Sequence, residues 1–454
     1  MAVSRFFPEQ SYRAQPADAC VAPPPLILYL SRTLAISPAA LNLFVKNISQ
    51  LVTVASRGKT VKTGAEMRDL GIVADAGVLC KNGKIAWAGP MREWDGVLPP
   101  DIAELDASGT TVLPGFVDSH THMLFAGSRE RDFALRCAGA TYAEIAREGG
   151  GILDTINHVR AAGKKALKRQ TVRYMNGMMR SGTTTVEIKS GYGLDMDSEI
   201  KMLEAIVELA AEELMDVVPT FLGAHAVPPE YAGRKDEYIT LLVEKIIPYV
   251  GRKKLARFCD VFCDEGFFDT ADAERVLVAA RSWGMQPKMH ADELTAAGGA
   301  ELAARLGAVS ADHLEHITPE GIVALKEAGV VAGILPGVSF FLNHGYAPVR
   351  ELIDRGVAVA IASDFNPGSC MSWSMPMMMT IACTQMRMTP EEAITAATLN
   401  GAASLGLSAE AGSIERGKKA DLIVADIPDY RFLAYHFGTN HVRTTIKNGT
   451  ILEF

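Results

Sequence analysis

Two histidines one residue apart, in the string Asp118-Ser119-His120-Thr121-His122, directly follow the apolar run 111–117. Side chains two apart on a strand point the same way, so both imidazoles can reach one cation from one edge. Two neutral imidazoles leave a metal short of ligands. His290, in Lys288-Met289-His290-Ala291-Asp292-Glu293, and Asp364, in Ala362-Ser363-Asp364-Phe365-Asn366-Pro367, each end another apolar stretch. Three histidines and a carboxylate suit one zinc or ferrous ion with a coordination position left for water. That ligand set implies metal-dependent hydrolysis.

Other polar residues fall into the same pattern. His313, in Ser310-Ala311-Asp312-His313-Leu314, is expected to orient the water or to donate a hydrogen bond to a carbonyl under attack. His225, in Gly223-Ala224-His225, is a candidate hydrogen-bond donor to substrate. His316 is expected to support the site residues from behind or to be structural, and His158, His344, His436 and His441 have no strand-end position. Cys259 and Cys263, four apart in an apolar run, are expected to be buried hydrophobes rather than ligands. No lysine lies between Phe258 and Phe268, so a carbamylated lysine bridging two metals is not expected there. The expectation is one metal ion. No glycine-rich phosphate-binding pattern occurs.

Eight strand candidates carry these residues: 111–117, 183–189, 217–223, 258–263, 286–290, 308–312, 330–335 and 358–363. Helix-length segments separate them, the pattern of a (β/α)8 barrel of TIM type. His120 and His122 follow the first strand, Lys189 and Tyr192 the second, and His225 the third. Glu265 follows the fourth, His290 and Glu293 the fifth, His313 the sixth, and Asp364 with Asn366 the eighth. All sit at carboxyl ends, the face on which barrel enzymes build their sites.

Both ends of the chain are β-rich. Asn82-Gly83 and Asn448-Gly449, each between strand-like runs, suit type I′ hairpin turns. The expected organisation is a barrel over 111–407 and a small β-sandwich domain assembled from 47–110 and 408–454, with 1–46 a poorly ordered extension. A net charge of −8 disfavours a general nucleic-acid surface or loose attachment to anionic membranes. Seven scattered cysteines read as reduced thiols of a cytoplasmic protein. No apolar stretch reaches 18 residues, so a membrane span is not expected.

Several strings carry a more specific resemblance. They are His120-Thr121-His122 through Ser128-Arg129, Lys189-Ser190-Gly191-Tyr192-Gly193-Leu194, His290-Ala291-Asp292-Glu293 and Ser363-Asp364-Phe365-Asn366-Pro367-Gly368. From Asn47 onward the chain resembles the amidohydrolase superfamily, and most closely its imidazolonepropionase family. The resemblance implies that His120, His122, His290 and Asp364 bind one divalent metal, zinc or iron. It implies that Arg129, Tyr192, His225, Glu293, Asn366, Gly368 and Ser369 surround 4-imidazolone-5-propanoate as substrate. His313, Asp364 and Glu293 would then do the chemistry of ring opening to N-formimidoyl-L-glutamate, in a homodimer. A related deaminase or cyclic-amide hydrolase, acting on a purine, pyrimidine or hydantoin, is the main alternative. A barrel that has lost activity and serves as a scaffold is disfavoured, because all four ligands persist.

Overall fold

The computed structural model describes residues 42–98 and 102–454. Most of the extension expected over 1–46 therefore lies outside the described residues. Its last part does not: strand β1 (Leu43–Val52) starts ahead of the expected boundary at Asn47. Leu43, Phe44 and Val45 are buried in it.

β1 pairs antiparallel with β2 (Ile72–Lys81), which turns back at Asn82-Gly83 into β3 (Lys84–Pro90). Both turn residues have positive φ, 51° and 76°, as a type I′ turn requires. On the other edge of β1 lie β4 (Ala103–Asp106) and β5 (Thr111–Pro114), both parallel to it. β5 also pairs with a strand from the far end of the chain, β15 below, so the two termini share one sheet.

The run 111–117, expected as a single barrel strand, is two strands. Thr111–Pro114 belongs to the small sheet, and only β6 (Phe116–Asp118) enters the barrel. The change of direction falls at Gly115, where a Cβ would come within 2.2 Å of Thr184 Oγ1. The Gly115 N–H donates to the Asp421 carbonyl, and Phe116 N–H to that of Gly182, so each half joins a different sheet.

The barrel continues with β7 (Thr183–Lys189), β8 (Asp216–Ala224), β9 (Phe258–Cys263), β10 (Gln286–Pro287) and β11 (Met289–Ala291). It ends with β12 (Ser310–His313), β13 (Val331–Ile334) and β14 (Val359–Ile361). The fifth expected strand is thus interrupted at Lys288, with both pieces against β9. All neighbours from β6 to β14 run parallel. The ring closes just beyond its last strands: Asp364 N–H donates to the His120 carbonyl and His122 N–H to that of Phe365, both at 3.0 Å. Buried Asp118 reinforces this seam by accepting from Ser363 N–H and Ser363 Oγ. Helices such as Met196–Glu212 and Thr270–Ser282 pack around the ring with their apolar faces inward.

β15 (Leu422–Ala425), β16 (Val442–Lys447) and β17 (Thr450–Ile451) complete the small sheet, the last two joined by the Asn448-Gly449 turn. Its apolar core includes Leu43, Ile48, Val78, Val112, Leu422 and Ile446. A buried ion cluster fastens it to the barrel. Lys447 Nζ lies 2.7 Å from both Asp216, at the start of β8, and Asp421, and Lys419 Nζ lies 2.7 Å from Asp216. Among the described residues, no helix is long and apolar enough to cross a membrane.

Candidate metal centre

Closure of the ring brings the ends of β6, β11 and β14 together. The Nε2 atoms of His120, His122 and His290 stand 3.1 Å (120 to 290) and 3.3 Å (120 to 122, 122 to 290) apart. Asp364 Oδ1 is 3.4 Å from His120 Nε2 and 3.3 Å from His122 Nε2. A tetrahedral cation with ligand bonds of about 2.0–2.1 Å has ligand–ligand edges of about 3.3–3.4 Å. The three nitrogens, with Asp364 Oδ1 at similar distances from two of them, therefore gather at the spacing that one shared cation requires.

Their hydrogen bonding agrees. Asp364 Oδ1 is buried without a hydrogen-bond partner among the described residues. Asp364 Oδ2, in contrast, accepts from Asn366 Nδ2 at 3.0 Å and Ser369 Oγ at 3.3 Å. Burial pushes the Asp364 carboxyl up to about 7 although His290 pulls the other way. Burial also holds His120 and His122 far below the usual imidazole range. Neutral imidazoles are the form in which histidine binds a metal. The chemistry of this donor set fits one divalent cation.

His313 ends β12 beside the cluster, with one ring nitrogen within 4.8 Å of ligand atoms on His120 and His290. Its Nε2 lies 3.5 Å from Glu293 and its Nδ1 3.8 Å from Glu315. Burial, followed by Glu315, raises the Glu293 carboxyl well above its ordinary range, and burial takes Glu315 to about 8. Backbone strain gathers at these strand ends: Asp292, His313, Leu314 and Asp364 all have positive φ.

The Lys-Ser-Gly-Tyr-Gly string forms a tight turn around one buried carboxylate. Glu199 accepts from the N–H groups of Gly191, Gly193 and Leu194. Gly191 has φ 109°, and a Cβ on Gly193 would meet Glu199 N at 2.5 Å. The turn presents Tyr192 to His122 and His225, at ring distances of 5.9 and 5.5 Å. His225 stacks on His122 at 5.0 Å. Its Nδ1 lies 3.0 Å from the Gly191 carbonyl, which can only accept, so the ring proton sits there. Burial holds this ring neutral, its pKa down at about 3. His225 thus offers Nε2 as an acceptor, where a donor was expected from the sequence.

Arg129 reaches the turn after β14. Its Nε donates to Thr155 Oγ1 at 2.7 Å, and a Cβ built on Gly368 would meet its Nη1 at 2.3 Å. No acidic side chain pairs with it among the described residues. Gly368 and Ser369 N–H groups donate to Asn366 Oδ1, which shapes that turn. Glu265 and His316 are exposed and take no part. Cys259 and Cys263 are buried, as expected for apolar packing.

Beneath the histidines lies a layer of which the sequence reading singled out only Lys189, and that as a strand-end residue. Glu187, Lys189, Asp260, Lys288 and Asp312 are charged side chains buried in the barrel interior. Asp312 Oδ2 lies 2.7 Å from His120 Nδ1, and Asp260 Oδ2 lies 3.0 Å from His290 Nδ1, off the line of a good hydrogen bond. A signal was present: Glu187 precedes Lys189 by two, and Lys288 precedes His290 by two, so each pair shares the inward parity of its strand.

The amidohydrolase family model matches residues 111–452. This chain belongs to the amidohydrolase family. It is 48% identical over 410 residues to the imidazolonepropionase of Parabacteroides distasonis, covering 90% of this chain and 98% of that one. It is 47% identical to the imidazolonepropionase of Porphyromonas gingivalis, covering 92% and 98%. In fold the chain is similar to E. coli guanine deaminase, with a TM-score of 0.70, 16% identity, and coverage of 91% and 99%. A zinc-bound adenosine deaminase from Xanthomonas campestris gives a TM-score of 0.68 at 21% identity, covering 90% and 92%. The architecture is accordingly that of an amidohydrolase-family hydrolase, a parallel barrel with a small sheet domain drawn from both ends.

Proposed function

We propose that the protein hydrolyses the cyclic amide of 4-imidazolone-5-propanoate to N-formimidoyl-L-glutamate, a step of histidine breakdown. Near-full-length identity to proteins named imidazolonepropionase carries this reading. The constellation of His120, His122, His290 and Asp364, with Arg129 free of an acidic partner among the described residues, supports it.

In this reading the three histidines and Asp364 hold one zinc or iron ion. When bound, such an ion lowers the pKa of water and polarises a carbonyl, so attack proceeds at neutral pH without a strong base. The remaining work belongs to the side chains. Arg129 grips the propanoate through its planar fork, with Tyr192 and the Asn366–Ser369 turn enclosing the tail. Glu293 accepts the ring N–H and fixes the plane of the imidazolone, with His225 assisting. His313 donates to the carbonyl oxygen as charge develops there. Asp364 takes the proton of the attacking water and delivers it to the departing ring nitrogen. The ring C–N bond breaks, and the water oxygen ends in the new carboxylate. The same family resemblance extends the reading to a homodimer in the cytoplasm.

Assay of purified protein against imidazolone propanoate, guanine, cytosine and hydantoin tests the reading directly. Turnover of the imidazolone alone supports it. Turnover of a base or hydantoin in its place reassigns the substrate within the same fold.

A further inference from the structure

The buried layer under the histidines holds three carboxylates and two ammonium groups, contributed by β7, β9, β12 and the break between β10 and β11. Lys189 Nζ lies 2.6 Å from Asp260, 2.9 Å from Glu187 and 3.9 Å from Asp312. Lys288 Nζ lies 3.0 Å from Glu187 and 3.7 Å from Asp312. Side-chain exposure is 0% for Glu187, Lys189, Asp260 and Lys288, and 3% for Asp312. Such groups are kept only where each is paired, because water is not there to screen them.

Two of the three carboxylates do more than balance charge. Asp312 faces His120 Nδ1, and Asp260 faces His290 Nδ1 while also accepting the His290 N–H at 3.1 Å. A carboxylate on one ring nitrogen places the proton there and turns the other nitrogen, unprotonated, toward the cation. Asp312 therefore aims His120 through a hydrogen bond, while Asp260 backs His290 by charge at Nδ1 and by accepting its backbone N–H. The two carboxylates are of like charge in one low-dielectric space, and the ammonium within reach of both is Lys189. Glu187, in contrast, bonds both lysines and Thr220.

We propose that Lys189 is a positioning residue for the metal centre: its ammonium, bonded to Asp260 and facing Asp312, keeps both carboxylates beneath His290 and His120 and so holds the aim of both imidazoles. It touches neither substrate nor cation. The cluster formed by ligand atoms of His120, Glu187 and Asp312 could by composition take a cation of its own. Both lysine ammoniums lie against its two carboxylates, so the layer already carries its positive charge. One ion per chain is the consequence.

The inference rests on the metal-site reading above, and the experiment separates the two. Full-length protein, freed of metal by chelator, is titrated with cobalt(II) and followed by visible absorption. Wild type should take up one ion per chain with the intense bands of low-coordinate cobalt. No uptake would overturn the metal-site reading itself. Lys189→Met should fold, by circular dichroism, yet bind cobalt about 10–100-fold more weakly, with altered bands. Glu187→Gln, in the same layer, should stay within about threefold of wild type. Equal affinity for Lys189→Met and wild type overturns the proposal. So does an equal loss in both variants, which would mark a general packing effect. If Lys189→Met does not fold, 15N-histidine spectra of metal-free wild type still decide. A proton on Nδ1 of His120 is expected, and a proton on its Nε2 overturns the assignment.

Discussion

Arg129→Ala gives the most direct test of how the pocket reads its substrate. In the structure the guanidinium is braced by Thr155 through Nε and lies over Gly368, which leaves its terminal nitrogens without an acidic partner among the described residues. Its positive field is felt at Tyr192 and His225, which line the same space. A hydrogen bond to a charged group contributes about 1.5–3 kcal/mol net. At about 1.4 kcal/mol per factor of ten, removal should raise KM by roughly 10–150-fold. The effect should fall mainly on KM, because the propanoate is remote from the bond that breaks. Steady-state kinetics with imidazolone propanoate supply the measurement. A tail-free imidazolone should be a poor substrate for wild type, and Arg129→Ala should make it no worse. Gly368→Ala, which pushes a methyl group into Nη1, should reproduce part of the KM rise. An unchanged KM, or an equal loss on the tail-free compound, would refute the assignment of Arg129 to the tail.

Three further outcomes are expected. His290→Ala should abolish turnover and tight metal uptake together, measured by metal analysis of purified protein; full occupancy would remove His290 from the ligand set. Lys447→Met removes the cation shared by Asp216 and Asp421 and should destabilise by about 3–5 kcal/mol, since an unpaired buried charge remains. Thermal melting reads that loss, and kcat of the folded fraction should not change. Glu315→Gln should alter the pH dependence of stability in metal-free protein. The Glu315 carboxyl is raised from 4.5 to about 8 by burial, so folded wild type binds the extra proton and loses stability as pH rises between those values. The Gln variant lacks that loss, and its melting temperature relative to wild type should climb from pH 5 to pH 9. A constant difference across that range would count against a buried, protonated Glu315.

Much of the site was legible along the chain because strand parity is a local property. His120 and His122 share a face by being two apart, and His290 and Asp364 declare themselves by ending apolar runs. Both Asn-Gly hairpins were legible for the same reason, since turn chemistry depends on two residues with positive φ. The division of 111–117 was not. Its seven residues form one apolar run, and only the competing partners, β15 on one side and β7 on the other, make Gly115 a crossing point. The role of His225 depended likewise on where the Gly191 carbonyl came to lie.

The sequence by itself determined which residues could bind a cation, and at which end of each strand they would stand. Tertiary structure alone decided that Glu187, Lys189, Asp260, Lys288 and Asp312 meet in one dry layer beneath them. Only Glu187 and Lys189 pair within one strand; for Asp260, Lys288 and Asp312 nothing nearby in sequence says what neutralises them. The partner is set by the stagger and closure of the barrel, which bring strands far apart in the chain within ion-pair distance.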